Sequence, residues 1–242
     1  MRGLVRVGAA VPSLALGNVK ENMKRHLAMM REAKEKHVSI VTFPELSLTG
    51  YTCGDLFFQR RLLDDVTDAL LTLKDEMPEG ILAVVGAPLE IEGALYNCAV
   101  VLHKGEIISA VPKTFLPNNG EFYEKRWFQS GDARRDASVA IPKLKTDVCR
   151  QAIFETEDGV RFGIELCEDL WAPLPPSTML SVEGAEIILN LSASNELLSK
   201  REYRQQLISQ QSARCQCGYV YVSAGMGESS SDLVFSGHSV IA

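Results

Sequence analysis

The stretch Gly159-Val-Arg-Phe-Gly-Ile-Glu-Leu-Cys167-Glu-Asp-Leu-Trp171 contains a largely apolar run that ends at one cysteine and continues into two acidic residues. Residues 160–166 have the length and character of a buried strand, which puts Cys167 at the strand exit. The strand fixes the backbone there, and the turn after it exposes a side chain and can leave backbone N–H groups free to face a developing oxyanion. Cysteine is also common in protein cores, so the position alone leaves two interpretations open, a nucleophile and a small core residue.

Two other segments place an ionisable residue after an apolar strand. Glu45 follows the run 40–43, and the intervening Pro44 lacks an N–H, which suits a strand exit better than a strand interior. Lys113 follows the run 107–112 in a similar way. A lone glutamate or lysine is usually a solvated surface charge. A carboxylate, an ammonium and a thiol at three strand ends, however, form a set for acyl transfer: general base, oxyanion stabiliser and nucleophile.

Three short motifs carry a resemblance to a known family. Phe43-Pro44-Glu45, Pro112-Lys113 and Leu166-Cys167-Glu168-Asp169-Leu170-Trp171 resemble the Glu-Lys-Cys triad segments of the nitrilase (carbon–nitrogen hydrolase) superfamily, and the likeness runs over nearly the whole chain. These motifs alone fit aliphatic amidases, carbamoylases, ω-amidases and nitrilases equally well. The segments 49–57 and 116–124 are more diagnostic, because they most resemble the amino-terminal glutaminase domain of glutamine-dependent NAD synthetases.

The resemblance implies a role for each member of the triad. Cys167 would attack the side-chain amide of L-glutamine and form a γ-glutamyl thioester. Glu45 would take the thiol proton and pass it to the departing ammonia. Lys113 would stabilise the oxyanion together with the backbone N–H of Glu168.

The resemblance also implies a set of substrate-binding residues. Glu121 matches a second glutamate that helps to hold the lysine and to position the substrate. Asn119 stands near the pocket entrance, at a position where related synthetases can carry an aromatic residue. The remaining members of the implied set are Tyr51, Phe122, Glu168 and Ser194.

The composition agrees with one soluble, cytoplasmic enzyme domain. The chain has 242 residues and a formal net charge of −6, which argues against nucleic acid or an anionic membrane as a partner. No apolar run approaches the length of a bilayer span, and the first residues lack the apolar core of a signal peptide. The six cysteines show no disulfide-framework spacing. Cys215-Gln-Cys217 and four scattered histidines do not have the spacing of a metal site, so no metal is expected.

Helical and strand patterns alternate along the chain. Ser199-Lys-Arg-Glu202 has the form of a capping box at the start of the last helix. This pattern gives an α/β fold, and the resemblance implies the more specific nitrilase-like α-β-β-α four-layer sandwich with two mixed β-sheets. The predicted helices cover 18–36, 59–73, 177–183 and 199–215, and the predicted strands cover 4–11, 40–43, 81–89, 95–103, 106–111, 152–155, 160–166, 186–191, 219–223 and 233–241.

The end of the sequence leads to an expectation about a longer protein. The segment 235–242 stops within a predicted strand, and the chain has no Gly-rich loop of the kind that cradles a nucleotide phosphate. We therefore expect residues 1–242 to be one truncated amino-terminal glutaminase domain without a cofactor of its own, with ATP and Mg²⁺ used by an absent synthetase domain. The family resemblance further implies a homo-oligomer. A stand-alone amidase or carbamoylase and a non-catalytic scaffold remain as alternatives.

Overall fold

Twelve strands and four α-helices make up the regular structure of the described residues. The structure is a computed structural model, and it describes residues 4–133, 138–235 and 237–242. The strands are β1 (Val7–Ala9), β2 (Ile40–Thr42), β3 (Leu82–Ile91), β4 (Ala94–His103), β5 (Glu106–Pro112), β6 (Ser138–Ile141), β7 (Thr146–Cys149), β8 (Ile153–Glu155), β9 (Arg161–Leu166), β10 (Ile187–Ser192), β11 (Gly218–Ser223) and β12 (Val240–Ile241). The helices are α1 (Val19–Glu35), α2 (Arg60–Glu76), α3 (Pro176–Val182) and α4 (Lys200–Cys215).

The strands form two mixed sheets that lie face to face. The first sheet has the order β1-β2-β3-β4-β5-β7-β6, and the second has the order β12-β11-β10-β9-β8. Both contain parallel and antiparallel pairs. Val101 of β4 belongs to the same buried cluster as Ile164 of β9 and Leu189 of β10, so one apolar core fills the space between the sheets.

The helices cover the outer face of each sheet. Met30 of α1 and Leu70 of α2 are buried in a cluster with side chains of the first sheet. Leu180 of α3 and Ile208 of α4 are buried in a cluster with side chains of the second. The layers therefore run helix, sheet, sheet, helix, and the expected four-layer α-β-β-α sandwich with two mixed sheets is confirmed.

Both predicted hairpins are present. β4 and β5 pair antiparallel across the turn Lys104-Gly105, and β8 and β9 pair antiparallel around Asp158-Gly159. The second hairpin and the parallel neighbour β10 hold β9 from both sides. The backbone that leads to Cys167 is therefore fixed on both edges.

Three local predictions differ from the structure. The predicted strand 233–241 is reduced to β12, and residue 236 lies outside the described residues. The capping box at Ser199 is wrong, because this residue has a left-handed backbone (φ 63°) and its side chain makes no capping hydrogen bond to α4. The strands β6 and β7 were not predicted. They are four-residue strands, and the polar residues in β7 weaken the apolar signal of a strand.

Candidate active site

The exits of β2, β5 and β9 bring Glu45, Lys113 and Cys167 into one buried cluster. Lys113 Nζ lies 2.6 Å from Glu45 Oε1, and neither side chain is exposed to solvent. The Cys167 thiol is also buried and interacts electrostatically with both charges. Because β2 and β5 belong to the first sheet and β9 belongs to the second, the cluster spans the interface between the sheets.

A second glutamate, Glu124, completes the cluster. Its Oε1 lies 2.6 Å from Lys113 Nζ and accepts a hydrogen bond of 2.6 Å from Tyr51 OH. Burial raises the pKa of the Glu124 carboxyl, the positive charge of Lys113 lowers it, and the nearby Glu45 raises it further. The lysine is therefore held between two carboxyl groups. The tyrosine hydroxyl is a further donor to the carboxyl group of Glu124.

The expectation that Glu121 holds the lysine is wrong. Glu121 is only half-buried, and it accepts a hydrogen bond from Asn195 Nδ2 at the end of the second sheet. No local pattern in the sequence indicates this role for Glu124, but it ends the segment 116–124 that carries the family resemblance, and it is the residue that contacts Lys113.

The two oxygens of the Glu45 carboxyl group have unequal surroundings. Oε1 accepts hydrogen bonds of 2.6 Å from Lys113 Nζ and 2.6 Å from Asn97 Nδ2. Oε2 is buried and has no hydrogen-bond partner among the described residues. A carboxylate oxygen without a donor is the better proton acceptor, so Oε2 is the more basic of the two oxygens.

A glycine on the neighbouring strand permits the position of Glu45. Gly86 of β3 lies under the turn, and a Cβ atom there would come within 2.3 Å of Leu46 N and 2.4 Å of Pro44 O. Leu46 itself has a left-handed backbone, with φ 51°. The sharp turn after β2 therefore depends on the absence of a side chain at residue 86.

Cys167 lies at a sharp turn between β9 and a short 3₁₀ helix, Cys167–Trp171. Its φ of 44° is in the left-handed region, which is uncommon for a residue other than glycine. Such backbone conformations occur often at functional sites. The backbone N–H of Glu168 is in the first helical turn, where an N–H has no acceptor within the helix.

Asp169 joins the turn of the nucleophile to the loop of the lysine. Its carboxylate accepts the N–H of Leu166 at 2.9 Å, the N–H of Thr114 at 3.1 Å and the N–H of Phe115 at 2.7 Å. The first of these belongs to the end of β9, and the other two follow Lys113. One buried side chain therefore fixes the two loops relative to each other.

The electrostatics keep the lysine charged and the thiol neutral. Burial opposes the charge on Lys113, but Glu124 and Glu45 outweigh it and hold the lysine pKa well above its usual value. Burial and the charge of Glu45 raise the pKa of the Cys167 thiol, while Lys113 and a backbone hydrogen bond at Ala193 act in the opposite direction. The cysteine is therefore a thiol before the reaction and needs a base.

The six expected substrate-binding residues differ in burial and in their contacts. Tyr51 is buried, and its ring meets that of Phe122 edge-on at 6.3 Å. Ser194 is buried just after β10, and Glu168 and Glu121 are half-buried. Asn119 is exposed in the loop before Phe122, and its backbone oxygen accepts the N–H of that residue at 3.0 Å.

Lys200 was not predicted as a site residue. Its ammonium group lies 5.9 Å from the ring centre of Phe122 and 5.2 Å from that of Trp171, and it donates a hydrogen bond to Asn195 Oδ1. Burial lowers the pKa of Lys200, and Glu121 and Glu168 are among the nearby charges that oppose this effect. A lysine at the start of a polar helix is usually solvated, so no pattern in the sequence distinguishes Lys200 from other surface lysines.

Two further observations concern metals and membranes. Across residues 4–133, 138–235 and 237–242, no group of three or more histidine, cysteine or acidic side chains is arranged to hold a metal ion. In the same ranges, every helix is too short or too polar to cross a bilayer.

The family model for carbon–nitrogen hydrolases matches residues 6–242. A glutamine-dependent NAD(+) synthetase from Mycobacterium tuberculosis is 38% identical over 99% of this chain and 36% of its own length. The synthetase of the same name from Aquifex aeolicus is 28% identical over 95% of this chain and 37% of its own length. The chain thus spans little more than a third of the length of these curated relatives.

Solved structures show the same relationship. The glutamine-dependent NAD+ synthetase from Acinetobacter baumannii, solved with adenosine diphosphate, matches 98% of this chain and 41% of that chain with a TM-score of 0.84 and 29% identity. An amidase from Nesterenkonia, of the nitrilase superfamily, has a TM-score of 0.78 at 17% identity and shows that the fold is shared. By its match over residues 6–242, the chain belongs to the carbon–nitrogen hydrolase family.

Proposed function

We propose that this chain is a glutamine amidohydrolase domain, which releases ammonia from L-glutamine for NAD synthesis. The observation that carries the proposal is the buried triad, in which Glu45 Oε2 has no partner among the described residues and Cys167 interacts with the same carboxylate. The similarity to glutamine-dependent NAD synthetases over 99% of the chain supports glutamine as the substrate.

The first half of the reaction forms a thioester. Cys167 Sγ attacks the side-chain amide carbon while Glu45 Oε2 takes the thiol proton, which gives a tetrahedral intermediate with a negative oxygen. Two of the three N–H groups of Lys113 go to Glu45 and Glu124, and the third is available for this oxygen. The backbone N–H of Glu168 is the second donor of this oxyanion site.

The second half of the reaction restores the enzyme. Glu45 gives its proton to the amide nitrogen, the C–N bond breaks, and ammonia leaves. Glu45 then takes a proton from water, whose oxygen attacks the thioester, and returns a proton to the thiolate as the C–S bond breaks. The products are glutamate and ammonia, and the triad ends in its starting state.

The charges around the pocket match a free amino acid. Glu168 and Glu121 are the acidic groups for the α-ammonium group of glutamine, and Lys200 is the cation for its α-carboxylate. Ser194 contributes a hydroxyl group, and Tyr51 and Phe122 form an aromatic wall. Asn119 lies at the entrance. This arrangement favours glutamine over simple aliphatic amides, which carry neither charge.

The remaining partners belong to the same proposal. The chain works with a carboxyl-terminal NAD synthetase domain, which uses ATP and Mg²⁺, whereas the glutaminase reaction requires no cofactor. The assembly is a homo-oligomer in the cytoplasm. The short length of the chain relative to the Mycobacterium tuberculosis synthetase, of which it covers 36%, supports the division into two domains.

The proposal is tested by ammonia release from L-glutamine, with asparagine and simple aliphatic amides as competitors. The chain is compared with Cys167→Ala and with Cys217→Ala, a matched control that removes a buried thiol at the start of β11. We expect turnover that is selective for glutamine, lost in Cys167→Ala and retained in Cys217→Ala. A preference for another amide would favour a stand-alone amidase, and the absence of turnover on every amide would contradict an amidohydrolase.

A further inference from the structure

Asn97 is the member of the buried cluster to which the mechanism above gives no role. It lies on β4 and is fully buried. Its Nδ2 donates a hydrogen bond of 2.6 Å to Glu45 Oε1 and lies 3.5 Å from Glu124 Oε2. Its backbone oxygen accepts the N–H of Lys113 at 2.8 Å. One residue of β4 thus contacts the base, the lysine and the second glutamate.

The surroundings of Asn97 fix the orientation of its amide group. Nδ2 faces the carboxyl groups of Glu45 and Glu124, and a rotation of the amide by half a turn would place Oδ1 against these acceptors. In the observed orientation Oδ1 is buried and has no hydrogen-bond partner among the described residues. A buried oxygen without a partner lowers stability, so stability alone does not account for an asparagine here.

We propose that Asn97 is a positioning residue that fixes the rotation of the Glu45 carboxyl group. With Asn97 and Lys113 both on Oε1, two donors from different segments of the chain hold the carboxyl group, and Oε2 is left without a donor among the described residues. Without Asn97, Lys113 is the one remaining donor to the Glu45 carboxyl group among the described residues, and it also donates to Glu124. The carboxyl group can then turn and place both oxygens near the ammonium group, where neither is aligned with Cys167. The inference rests on the proposed role of Glu45 as the base.

The test removes the donor without adding a charge. Leucine is close to asparagine in shape, so Asn97→Leu is the first variant, and Asn97→Ala, which also lacks a donor, is the second in case the leucine variant does not fold. Asn190→Leu is the matched control, because Asn190 is a buried asparagine on β10. Its Nδ2 donates to Glu165 at 3.4 Å and to Tyr219 OH at 3.0 Å, and neither residue belongs to the triad. Circular dichroism and thermal unfolding check that each variant is folded.

Two readouts separate positioning from a structural role. The first is kcat and KM for glutamine. The second is the pH profile of Cys167 alkylation by iodoacetamide between pH 4 and 8. Alkylation is followed by the mass of the peptide that contains Cys167. The profile is measured in Asn97→Leu, in Glu45→Gln and in the double variant. The groups that face Glu45 and contribute to this profile are Lys113, Glu124, Cys167, Tyr51 and Glu228.

We expect Asn97→Leu to lower kcat about 10–100-fold with KM changed less than about 3-fold, because a misplaced base affects the chemical step and not binding. The rate of Cys167 alkylation should also fall across the profile, because the carboxyl group is less often aligned with the thiol. In the Glu45→Gln background, Asn97→Leu should have no further effect on the profile. Asn190→Leu should leave kcat and the profile unchanged.

An unchanged kcat and an unchanged alkylation profile in folded Asn97→Leu or Asn97→Ala would overturn the inference. Equal effects of Asn97→Leu in the wild-type and Glu45→Gln backgrounds would also overturn it, since Asn97 would then not act through Glu45. Alkylation does not require an amide substrate. A wild-type protein that leaves glutamine intact but shows the non-additive fall in alkylation would contradict the glutaminase proposal and support the role of Asn97.

Discussion

At the residue scale, the reactivity of the site depends on which polar atoms have no hydrogen-bond partner as much as on which hydrogen bonds are made. Glu45 Oε1 has two donors and Oε2 has none among the described residues, while Lys113 retains one N–H beyond its two ion pairs. A proton acceptor and a positive donor are therefore both available in a site that is buried from bulk solvent. In such a site their electrostatic effects are larger than in solution.

The substitution Glu45→Gln tests this arrangement. It keeps the size of the side chain and removes the proton acceptor, so we expect turnover to fall about 10²–10⁴-fold with little change in the unfolding midpoint. Glu165→Gln is the control, since Glu165 is also buried but accepts its hydrogen bonds from Tyr219 and the N–H of Ser177. Near wild-type turnover by Glu45→Gln would contradict the assignment of the base.

Glu228 gives a prediction for the pH dependence of stability. Burial raises the pKa of its carboxyl to about 7, although the N–H of Tyr51 donates to it at 2.7 Å and lowers the pKa. The folded state thus binds this proton more tightly than the unfolded state, and its stabilising contribution is full below about pH 4.5 and is lost as the pH rises through about 7.

The measurement compares the wild-type chain with Glu228→Gln, which cannot titrate. Between pH 5 and 8, the free energy of unfolding of the wild type should fall relative to that of the variant by up to about 3 kcal/mol. Urea unfolding at several pH values gives this difference. Parallel pH curves for the two proteins would show that Glu228 does not titrate in this range.

The residues that could be predicted are those with a signal in local sequence. Glu45, Lys113 and Cys167 each follow an apolar strand, and this context distinguishes them from other glutamates, lysines and cysteines. Asn97 lies in the middle of a strand, and Lys200 lies at the start of a polar helix. Their contacts come from segments distant in the chain, so periodicity can indicate burial but not the partner.

At the scale of the elements, turns decide where the reactive side chains lie. The turn after β2 has Leu46 at φ 51°, and the turn after β9 has Cys167 at φ 44°. Apolar periodicity predicts where a strand ends, but it carries no information about the backbone angles of the next residue. For this reason the strand exits were predicted correctly, whereas the left-handed start of α4 at Ser199 was not.

Gly86→Ala tests the close approach of the turn after β2. The new Cβ would meet Leu46 N at 2.3 Å, so the turn must move and take Glu45 with it. We expect turnover to fall at least about 10-fold and stability to fall by about 1–3 kcal/mol. Gly218→Ala is the control, because its nearest neighbour would be 3.8 Å away. Unchanged turnover in Gly86→Ala would mean that the turn adapts.

Substitutions of Ser199 test whether this residue caps α4 or only carries a strained backbone. Because its φ is 63° and its side chain makes no capping bond, Ser199→Gly should stabilise the protein by about 0.5–1 kcal/mol, and Ser199→Ala should change stability little. A true capping residue behaves differently, since Ser→Ala then costs about 1 kcal/mol and Ser→Gly stabilises nothing. Thermal unfolding of the two variants separates these cases.

At the scale of the whole molecule, the site depends on the packing of one sheet against the other. The general architecture followed from alternating patterns and the family resemblance, but the face-to-face core is a non-local property. The contact between Val101 of β4 and the cluster of Ile164 and Leu189 joins segments of chain that local periodicity treats separately. The same core contains Val111 and Leu166, which lie close in sequence to Lys113 and Cys167.

Leu189→Ala tests the link between this core and activity. Leu189 is fully buried between the sheets, so the truncation should cost about 2–5 kcal/mol. The temperatures at which turnover and near-ultraviolet circular dichroism are lost should fall together, because the triad exists only while the sheets are packed. Val182→Ala on the exposed side of α3 should leave both unchanged. Loss of turnover well below the unfolding temperature would indicate that the site melts separately.

The three backbone hydrogen bonds to Asp169 also divide the pocket into a fixed half and an exchangeable half. The loops after β5 and β9, which carry Lys113 and Cys167, are tied together by this one carboxylate. The segments 117–123 and 195–200, which carry Glu121, Phe122 and Lys200 of the proposed glutamine site, take no part in these three hydrogen bonds. An engineer who wishes to redirect the site to another amide can therefore graft new versions of these two segments and leave the reactive machinery intact.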